Sequence, residues 1–183
     1  ENDPFYQFLG KTLKRHASAV QHLNLNCEIL YMDEVTPKCI ARNLRDCSDV
    51  AAVGVVALDH QSVVAEVESL FQKRIPTVAL LSDLSTDRYA GYIGWDSQKV
   101  GRTAAWTIDK LCRKPGKIAV LLGSHRYLGQ QLAETSFVNY FRERNDTFTL
   151  LPSVLNLDDD RLAAESTAEL LNEHPDIVGI YSA

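Results

Sequence analysis

The sequence lacks the features of several protein classes. No run of about eighteen consecutive apolar residues occurs, so we expect no membrane-spanning helix, and no secretory signal peptide is recognisable at Glu1. Lys and Arg form no cluster, and 24 acidic residues outnumber 19 basic ones. The net charge of −5 is not that of a nucleic-acid-binding surface, so any contact with DNA is expected from a segment outside this sequence.

Motifs for catalysis are also missing. The sequence contains no GxGxxG, no phosphate-binding P-loop, no GxSxG and no HExxH. The five histidines are scattered, and only His60 and His125 fall near predicted strand ends. We therefore expect no enzymatic activity, no catalytic residue, no metal site and no cofactor.

The four cysteines, Cys27, Cys39, Cys47 and Cys112, form no CxxC pair. This spacing favours free thiols in a reducing compartment over a disulfide framework or a metal site. We accordingly expect a cytoplasmic location.

Apolar patterns of strand type and helix type alternate along the chain. At 183 residues and 45% apolar composition, this alternation predicts an α/β fold with parallel sheets covered by helices on both faces. Strands are predicted at Cys27–Met32, Val53–Leu58, Thr77–Leu81, Tyr92–Trp95, Lys117–Leu122, Phe148–Leu155 (interrupted at Pro152) and Ile177–Tyr181. Helices are predicted from Pro4, from Pro37 after an N-cap at Thr36, after caps at Asp59 and Asp96, over Leu128–Arg144, and over Asp158–His174.

The carboxyl ends of the predicted strands carry the candidate binding residues, because ligands of such sheets bind there. Asp83 follows the Thr77–Leu81 strand, and its carboxylate could accept hydrogen bonds from a polyol or simply form a turn. At the start of the first helix, the rings of Phe5 and Tyr6 could pack on a sugar while Asp3 accepts hydrogen bonds from its hydroxyls. The alternative is that Phe5 belongs to the core and Asp3 only caps the helix.

Six segments occur in an order that resembles one known family. The chain resembles the effector-binding domain of lactose-repressor-type (LacI/GalR) transcriptional regulators, which is similar to the type I periplasmic sugar-binding proteins. The segments are "NDPFY", "GVVALDH", "IPTVALLSD", "YIGWDSQKVGRTAA", "KIAVLLGS" and "HPDIVGIYSA".

The resemblance implies two lobes of parallel, doubly wound sheet joined by hinge strands, with the ligand between them. The N-terminal lobe is expected over residues 1–95 and the C-terminal lobe over residues 96–183. Tyr92–Trp95 would be the first crossing, Asp96 would cap the first helix of the second lobe, and Gly101 would permit its close packing. The resemblance also implies a first strand ahead of Glu1 and roughly a third of the protein after Ala183.

Carried onto this sequence, the pocket of the family implies a small set of ligand-binding residues. In one respect the sequence departs from the family. An arginine that often binds the ligand, three residues before a glycine, is replaced by Ala133, and the glycine by Ser136. The implied ligand-binding residues are Asp3, Phe5, Tyr6, Asp83, Arg126 and Tyr127.

The function implied by the resemblance is that of a ligand-sensing domain of a transcriptional repressor. Its expected partners are a sugar or similar small polar effector, operator DNA contacted through a separate N-terminal headpiece, and a second copy in a homodimer. One alternative is a periplasmic sugar-binding protein of a transport system, which shares the fold and the pocket. Another is an enzyme built on a doubly wound sheet, since fold does not fix function.

Overall fold

The computed structural model describes residues 4–32, 35–144 and 147–183. Asp3, one of the predicted ligand-binding residues, lies outside this range. The described part of the chain forms two parallel sheets, the first built from strands before residue 95 and the second from strands after it. The division into lobes over residues 1–95 and 96–183 stays a prediction. The predicted α/β fold with parallel sheets is confirmed.

The first sheet has three strands in the order β1-β2-β3, all parallel. Helices alternate with these strands, as the pattern of apolar residues predicted. The elements are α1 (Pro4–Ala19), a short 3-10 helix (Gln21–Leu23), α2 (Pro37–Asp46), β1 (Val53–Val55), α3 (Gln61–Gln72), β2 (Thr77–Leu80) and β3 (Gly91–Ile93).

The second sheet is centred on β4, which pairs with β7 along one edge and with β5 and β6 along the other. β5 and β6 are the two halves of the predicted Phe148–Leu155 strand, interrupted at Pro152. The elements are α4 (Ser97–Leu111), β4 (Gly116–Leu122), α5 (Leu128–Arg144), β5 (Phe148–Leu150), β6 (Val154–Leu155), α6 (Asp160–Glu173) and β7 (Ile177–Ser182).

Each sheet has its own apolar core. The core of the first half joins α2 and α3 to the sheet, with Val63, Val67 and Ala79 fully buried. In the second half, Phe137 on α5 stacks on Tyr181 of β7 with ring centroids 4.6 Å apart. Separate cores allow each half to keep its shape while the space between them is shaped by loops.

The strand predicted at Cys27–Met32 is wrong, because this segment lies in no sheet of the described chain. A strand exists through its hydrogen-bonded partner, and in the described part of the chain no strand pairs with this segment. The apolar pattern could not reveal whether a partner was present.

The predicted cap at Asp59 is also wrong. The N-cap of α3 is His60, whose Nδ1 accepts a hydrogen bond from the Ser62 N–H at 3.2 Å. The Asp59 carboxylate instead accepts hydrogen bonds from the backbone N–H and the hydroxyl of Ser85, at 2.8 and 2.5 Å. Asp59 thus ties the loop after β1 to the loop after β2.

The predicted cap at Asp96 is confirmed, since its Oδ1 accepts a hydrogen bond from the Lys99 N–H at 3.0 Å. Gly101 is buried against α5, and a methyl group built on it would overlap the backbone carbonyl of Ala133. The helical spacing of Val100, Ala104, Ile108 and Leu111 predicts a buried apolar stripe, but its two ends are wrong, because Val100 and Leu111 are 40% and 73% exposed. The contact between α4 and α5 therefore centres on the glycine.

Replacing Gly101 with alanine is expected to destabilise the protein by about 2 kcal/mol, because the backbone of α5 cannot yield as a side chain would. This loss outweighs the gain of up to about 1 kcal/mol that alanine brings to a helix interior. Chemical denaturation of the purified protein measures the difference.

The matched control is Gly129→Ala in α5, where the added methyl group meets the Ser97 hydroxyl at 3.1 Å rather than a backbone carbonyl. This control should be close to neutral or slightly stabilising. Equal stability of Gly101→Ala and the wild type would show that α4 and α5 can separate to admit the methyl group.

Candidate functional site

The carboxyl ends of the two sheets face each other. The backbone N–H of Asp59, after β1, donates a hydrogen bond to the carbonyl of Arg126, after β4, at 3.0 Å. The next residue, Tyr127, packs against the apolar core of the first half. Loops from both halves therefore meet at the strand ends, which is where parallel sheets bind their ligands.

Asp83 is half-buried in this region and already has partners in the protein. Its Oδ1 accepts hydrogen bonds from the Leu84 N–H at 2.8 Å and from the Tyr89 hydroxyl at 2.6 Å. These contacts are those of a carboxylate that shapes its loop. A carboxylate has about four acceptor sites, so the loop contacts leave capacity for a ligand hydroxyl, and the ligand-binding role of Asp83 stays a prediction.

The loop contact changes the ionisation of Tyr89. Burial, followed by the hydrogen bond to Asp83 and its negative charge, raises the pKa of Tyr89 to about 12 from an ordinary value of 10. Burial and the Asp83 charge also raise the pKa of Tyr92, whose hydroxyl donates hydrogen bonds to the carbonyls of Leu81 and Trp95. Both tyrosines are therefore neutral donors at physiological pH.

Phe5 and Tyr6 lie together at the start of α1, with an edge-to-face contact between rings 5.3 Å apart. Phe5 is 53% exposed, so it is not a core residue. Tyr6 and Tyr127 line one cavity of about 340 Å³ between residues 28–32 and residues 52–56. We call this cavity the β1 groove. The structure thus brings two predicted binding residues, Tyr6 and Tyr127, to the wall of one cavity.

Arg126 is exposed and lies in the loop after β4. Its Nε donates a hydrogen bond to the Ser124 hydroxyl at 3.3 Å, and its backbone N–H donates to the same oxygen at 3.2 Å. These contacts hold the base of the side chain while leaving the guanidinium nitrogens NH1 and NH2 at the surface. That arrangement suits recognition of hydroxyl or carboxylate oxygens.

Two polar residues at the same sheet edge were missed by the sequence reasoning. Gln130 accepts a hydrogen bond from the Ser124 N–H at 2.6 Å and donates one to Asp158 at 3.5 Å. Leu157 and Asp158 both have positive φ angles, 56° and 57°, and such strain clusters at functional sites. The three aspartates from 158 to 160 are typical of a helix start, so the sequence alone does not single out Asp158 for a role at the sheet edge.

Ala133, which occupies the position of the family arginine, packs between α5 and α4. Ala133 is buried where α5 meets α4, and the Ser136 hydroxyl donates a hydrogen bond to the carbonyl of Gln98 at 2.8 Å. An arginine side chain at position 133 would disturb this contact.

His125 and Ser153 both contact Glu134, with 2.7 Å between His125 Nε2 and the carboxylate. Because the carboxylate stands between them, the imidazole is not placed to take a proton from the hydroxyl, as nucleophilic catalysis requires.

Among residues 4–32, 35–144 and 147–183, no group of three potential ligands could hold a metal ion. No helix in those ranges is long and apolar enough to cross a membrane.

The architecture, two parallel sheets with their carboxyl ends facing each other, is that of a two-lobed binding protein. Residues 34–183 match the family described as periplasmic binding protein domain. The chain belongs to this family. A search of curated proteins found no match.

Solved structures of sugar-binding proteins share the fold. GanP, a glucose-galactose binding protein from Geobacillus stearothermophilus, has a TM-score of 0.85 at 20% identity, covering 100% of this chain and 64% of GanP. A solute-binding protein of an ABC transporter from Agrobacterium vitis, solved with D-fucose, has a TM-score of 0.82 at 21% identity, covering 98% and 63%. The fructose-binding periplasmic domain of the hybrid two-component system BT1754 has a TM-score of 0.77 at 18% identity, covering 94% and 59%. This chain thus spans less than two thirds of the length of these proteins, between 59% and 64%, and at such identities the likeness concerns the fold.

The tyrosine titration offers a test of the loop geometry. In the folded protein, Tyr89 should ionise near pH 12, which a difference titration between the wild type and Tyr89→Phe measures through phenolate absorbance. The pKa of Tyr89 is higher in the folded state than in the unfolded state. The contribution of protonated Tyr89 to the free energy of unfolding is therefore fully present below pH 10 and is lost as the pH rises to 12.

Asp83→Asn is the companion variant. It removes the negative charge but not the burial, so the pKa of Tyr89 should fall only part of the way towards 10. Ionisation of Tyr89 near pH 10 in the folded wild type would contradict the contact between Tyr89 and Asp83.

Proposed function

We propose that the chain is the ligand-binding part of a solute-binding protein that takes up a sugar or related polyol for a transport system. The single observation that carries this proposal is the meeting of strand-end loops from both sheets at the Asp59–Arg126 hydrogen bond. Membership in the periplasmic binding protein domain family supports it, as do structural neighbours named for sugar binding and transport.

The chemistry of the strand-end loops fits a ligand rich in hydroxyls. Asp83 supplies carboxylate oxygens, Arg126 supplies guanidinium donors, Phe5 supplies an exposed aromatic ring, and Tyr6 supplies a half-buried one. A sugar needs all three kinds of group, since it presents hydroxyl donors and acceptors around its rim and C–H groups on its faces. Gln130 and Asp158 add polar atoms from the second half.

A second candidate is the effector-binding domain of a LacI-type transcriptional regulator. The order of six sequence segments favours it, and so do the four cysteines, which are all unpaired and fit a reducing cytoplasm. In that case the partners include operator DNA, through a headpiece outside this sequence, and a second copy of the protein. The structural neighbours favour the transport candidate over this one.

Binding to sugars tests the function shared by both candidates. Calorimetric titration of the complete protein with glucose, galactose, D-fucose, arabinose and fructose should give reversible, saturable binding of at least one of them. Asp83→Ala is expected to weaken that binding by about tenfold or more, a loss of about 1.4 kcal/mol, while the protein stays folded.

Tyr89→Phe is the matched control, because it removes the internal hydrogen bond of Asp83 without removing the carboxylate. If Asp83 binds the sugar directly, Tyr89→Phe should retain most of the affinity. Equal losses in both variants would indicate that Asp83 acts only by shaping the loop, and consumption of the sugar during the titration would point to an enzyme instead.

The cellular location separates the two candidates. A transport protein is exported and binds sugar as a freestanding unit, whereas a regulator stays in the cytoplasm and changes its DNA affinity when the sugar binds. Fractionation of cells, followed by immunodetection, distinguishes them. Sedimentation adds a second readout, since the regulator is expected to be a homodimer.

A further inference from the structure

The outer side of α4 carries basic residues around an exposed tryptophan. Gly101 packs on α5 and Ala105 belongs to the core of the second half, so these two residues mark the inner side of the helix. Residues three or four positions apart lie on the same side of a helix, and one such series runs along the side that faces solvent. Its members, which we call the α4 stripe, are Lys99, Arg102, Trp106 and Lys110.

All four members of the α4 stripe are exposed. Trp106, at the centre, has 52% of its surface accessible to solvent. Leu111, the last residue of α4, adds an aliphatic side chain that is 73% exposed. A single exposed apolar residue is common in proteins. Large apolar side chains placed among cations on one helix form a surface that is both apolar and basic.

This surface is positively charged although the chain is acidic. Residues 97–117 include six basic residues and one acidic residue, a local excess of five positive charges in a chain whose net charge is −5. Most of these basic residues are separated in the sequence, which is why composition alone predicts no basic surface. The helical repeat of α4 brings them onto one side of the protein.

The cations of the α4 stripe take part only in ion pairs at the protein surface. The pairs are Asp96–Lys99, Arg102–Glu143 and Asp109–Lys110, with N···O distances of 3.1, 2.7 and 2.8 Å. Such pairs contribute little and are easily exchanged for another anion. Among the described residues, neither Arg113 nor Lys114, which follow α4, forms an ion pair. The C-terminal end of α4 therefore carries uncompensated positive charge.

We propose that the α4 stripe, together with Leu111, Arg113 and Lys114, binds the surface of a membrane that contains anionic lipids. Tryptophan favours the level of the lipid headgroups, because its ring is apolar and its N–H is polar. Basic side chains around it are attracted by the lipid phosphates. Each basic residue close to an anionic leaflet strengthens binding by about fivefold.

Shape and composition favour a lipid surface over a small ligand or a protein. Small ligands bind in concave pockets, whereas the α4 stripe lies on the outer side of a helix. Protein interfaces are enriched in arginine and depleted in lysine, but four of the six basic residues within 97–117 are lysines. A lysine is a flexible point charge, which suits a fluid array of phosphates that offers no fixed geometry.

Binding through α4 leaves the strand-end loops accessible. Because α4 leads directly into β4, its C-terminal end lies at the edge of the second sheet where β4 begins. The loops that contain Asp59 and Arg126 lie at the other edge. The protein can therefore rest on a membrane while its candidate binding region stays open, and the inference does not rest on the proposed function.

Sedimentation of the complete protein with lipid vesicles tests the proposal. Vesicles of phosphatidylcholine and phosphatidylglycerol in equal amounts should carry the protein into the pellet at low salt, whereas vesicles of phosphatidylcholine alone should not. Higher ionic strength should release the protein, because salt screens the attraction. Failure to bind the anionic vesicles would overturn the proposal. Binding only to vesicles made from natural membranes would assign the stripe to a protein partner and would also overturn it.

A double variant, Arg113→Glu with Lys114→Glu, locates the contact. Both residues are exposed and outside ion pairs, so the protein should stay folded, while binding to the anionic vesicles should weaken by about 25-fold or more. The matched control is Lys38→Glu with Lys73→Glu, which changes the net charge equally at exposed positions of the first half. The control should retain most of the binding. Equal losses in the two variants would show that only the overall charge matters and would contradict the assignment.

The fluorescence of Trp106 provides an independent readout. The difference in emission between the wild type and Trp106→Phe isolates this residue. On addition of the anionic vesicles, that emission should shift to shorter wavelength, because the ring moves from water into the headgroup region. Sedimentation with the vesicles without this shift would place the contact elsewhere on the protein and overturn the proposal. None of these readouts uses a sugar, so their outcome is independent of the proposed function.

Discussion

The structure depends on one constraint of parallel sheets: after each strand, the chain must return to the end of the sheet where the strands begin before it can form the next strand. A helix makes this return in most connections, a loop makes it between β2 and β3, and all strands of a sheet consequently end at one edge. Polar residues that follow buried strands, such as Asp59, Asp83 and Arg126, are brought together by this topology although they are far apart in sequence. The binding region is thus a product of connectivity, and the chemistry of the loops determines what it can hold.

The loops at that edge are held by their own polar residues before any ligand arrives. The Asp59 side chain accepts hydrogen bonds from Ser85, and the Gln130 side chain accepts one from Ser124. The Asp83 side chain accepts hydrogen bonds from Leu84 and Tyr89. Such preorganisation reduces the conformational entropy that binding has to overcome. The same carboxylates that suit a polyol therefore also keep the loops in place, which is why a substitution there must be judged on folding and on binding separately.

Sequence patterns predicted most of the elements because apolar periodicity reflects burial directly. The helix Leu128–Arg144, the break at Pro152 and the cap at Asp96 were all predicted with these bounds. Predictions that depend on which residues a segment or side chain contacts were less accurate. Cys27–Met32 has strand-like residues but no paired strand in the described chain. Asp59 has a side chain suitable for capping, but its carboxylate accepts hydrogen bonds from Ser85 instead.

The candidate site was harder to predict for a related reason. Position along the chain identified Asp83 and Arg126 as loop residues at strand ends, and the structure places them there. It could not identify Gln130 and Asp158, because their pairing joins a helix to a loop 28 residues away. The strained backbone at Leu157 and Asp158 also has no sequence signature, since neither residue is a glycine.

The interruption at Pro152 has a consequence for how the protein behaves at high concentration. It divides the strand at one edge of the second sheet, as far as the chain is described, into pieces of three and two residues, β5 and β6. A neighbouring molecule therefore finds no continuous ladder of N–H and C=O groups along that side, and proline itself offers no donor. We therefore expect this edge to be a poor template for the addition of a strand from a second molecule.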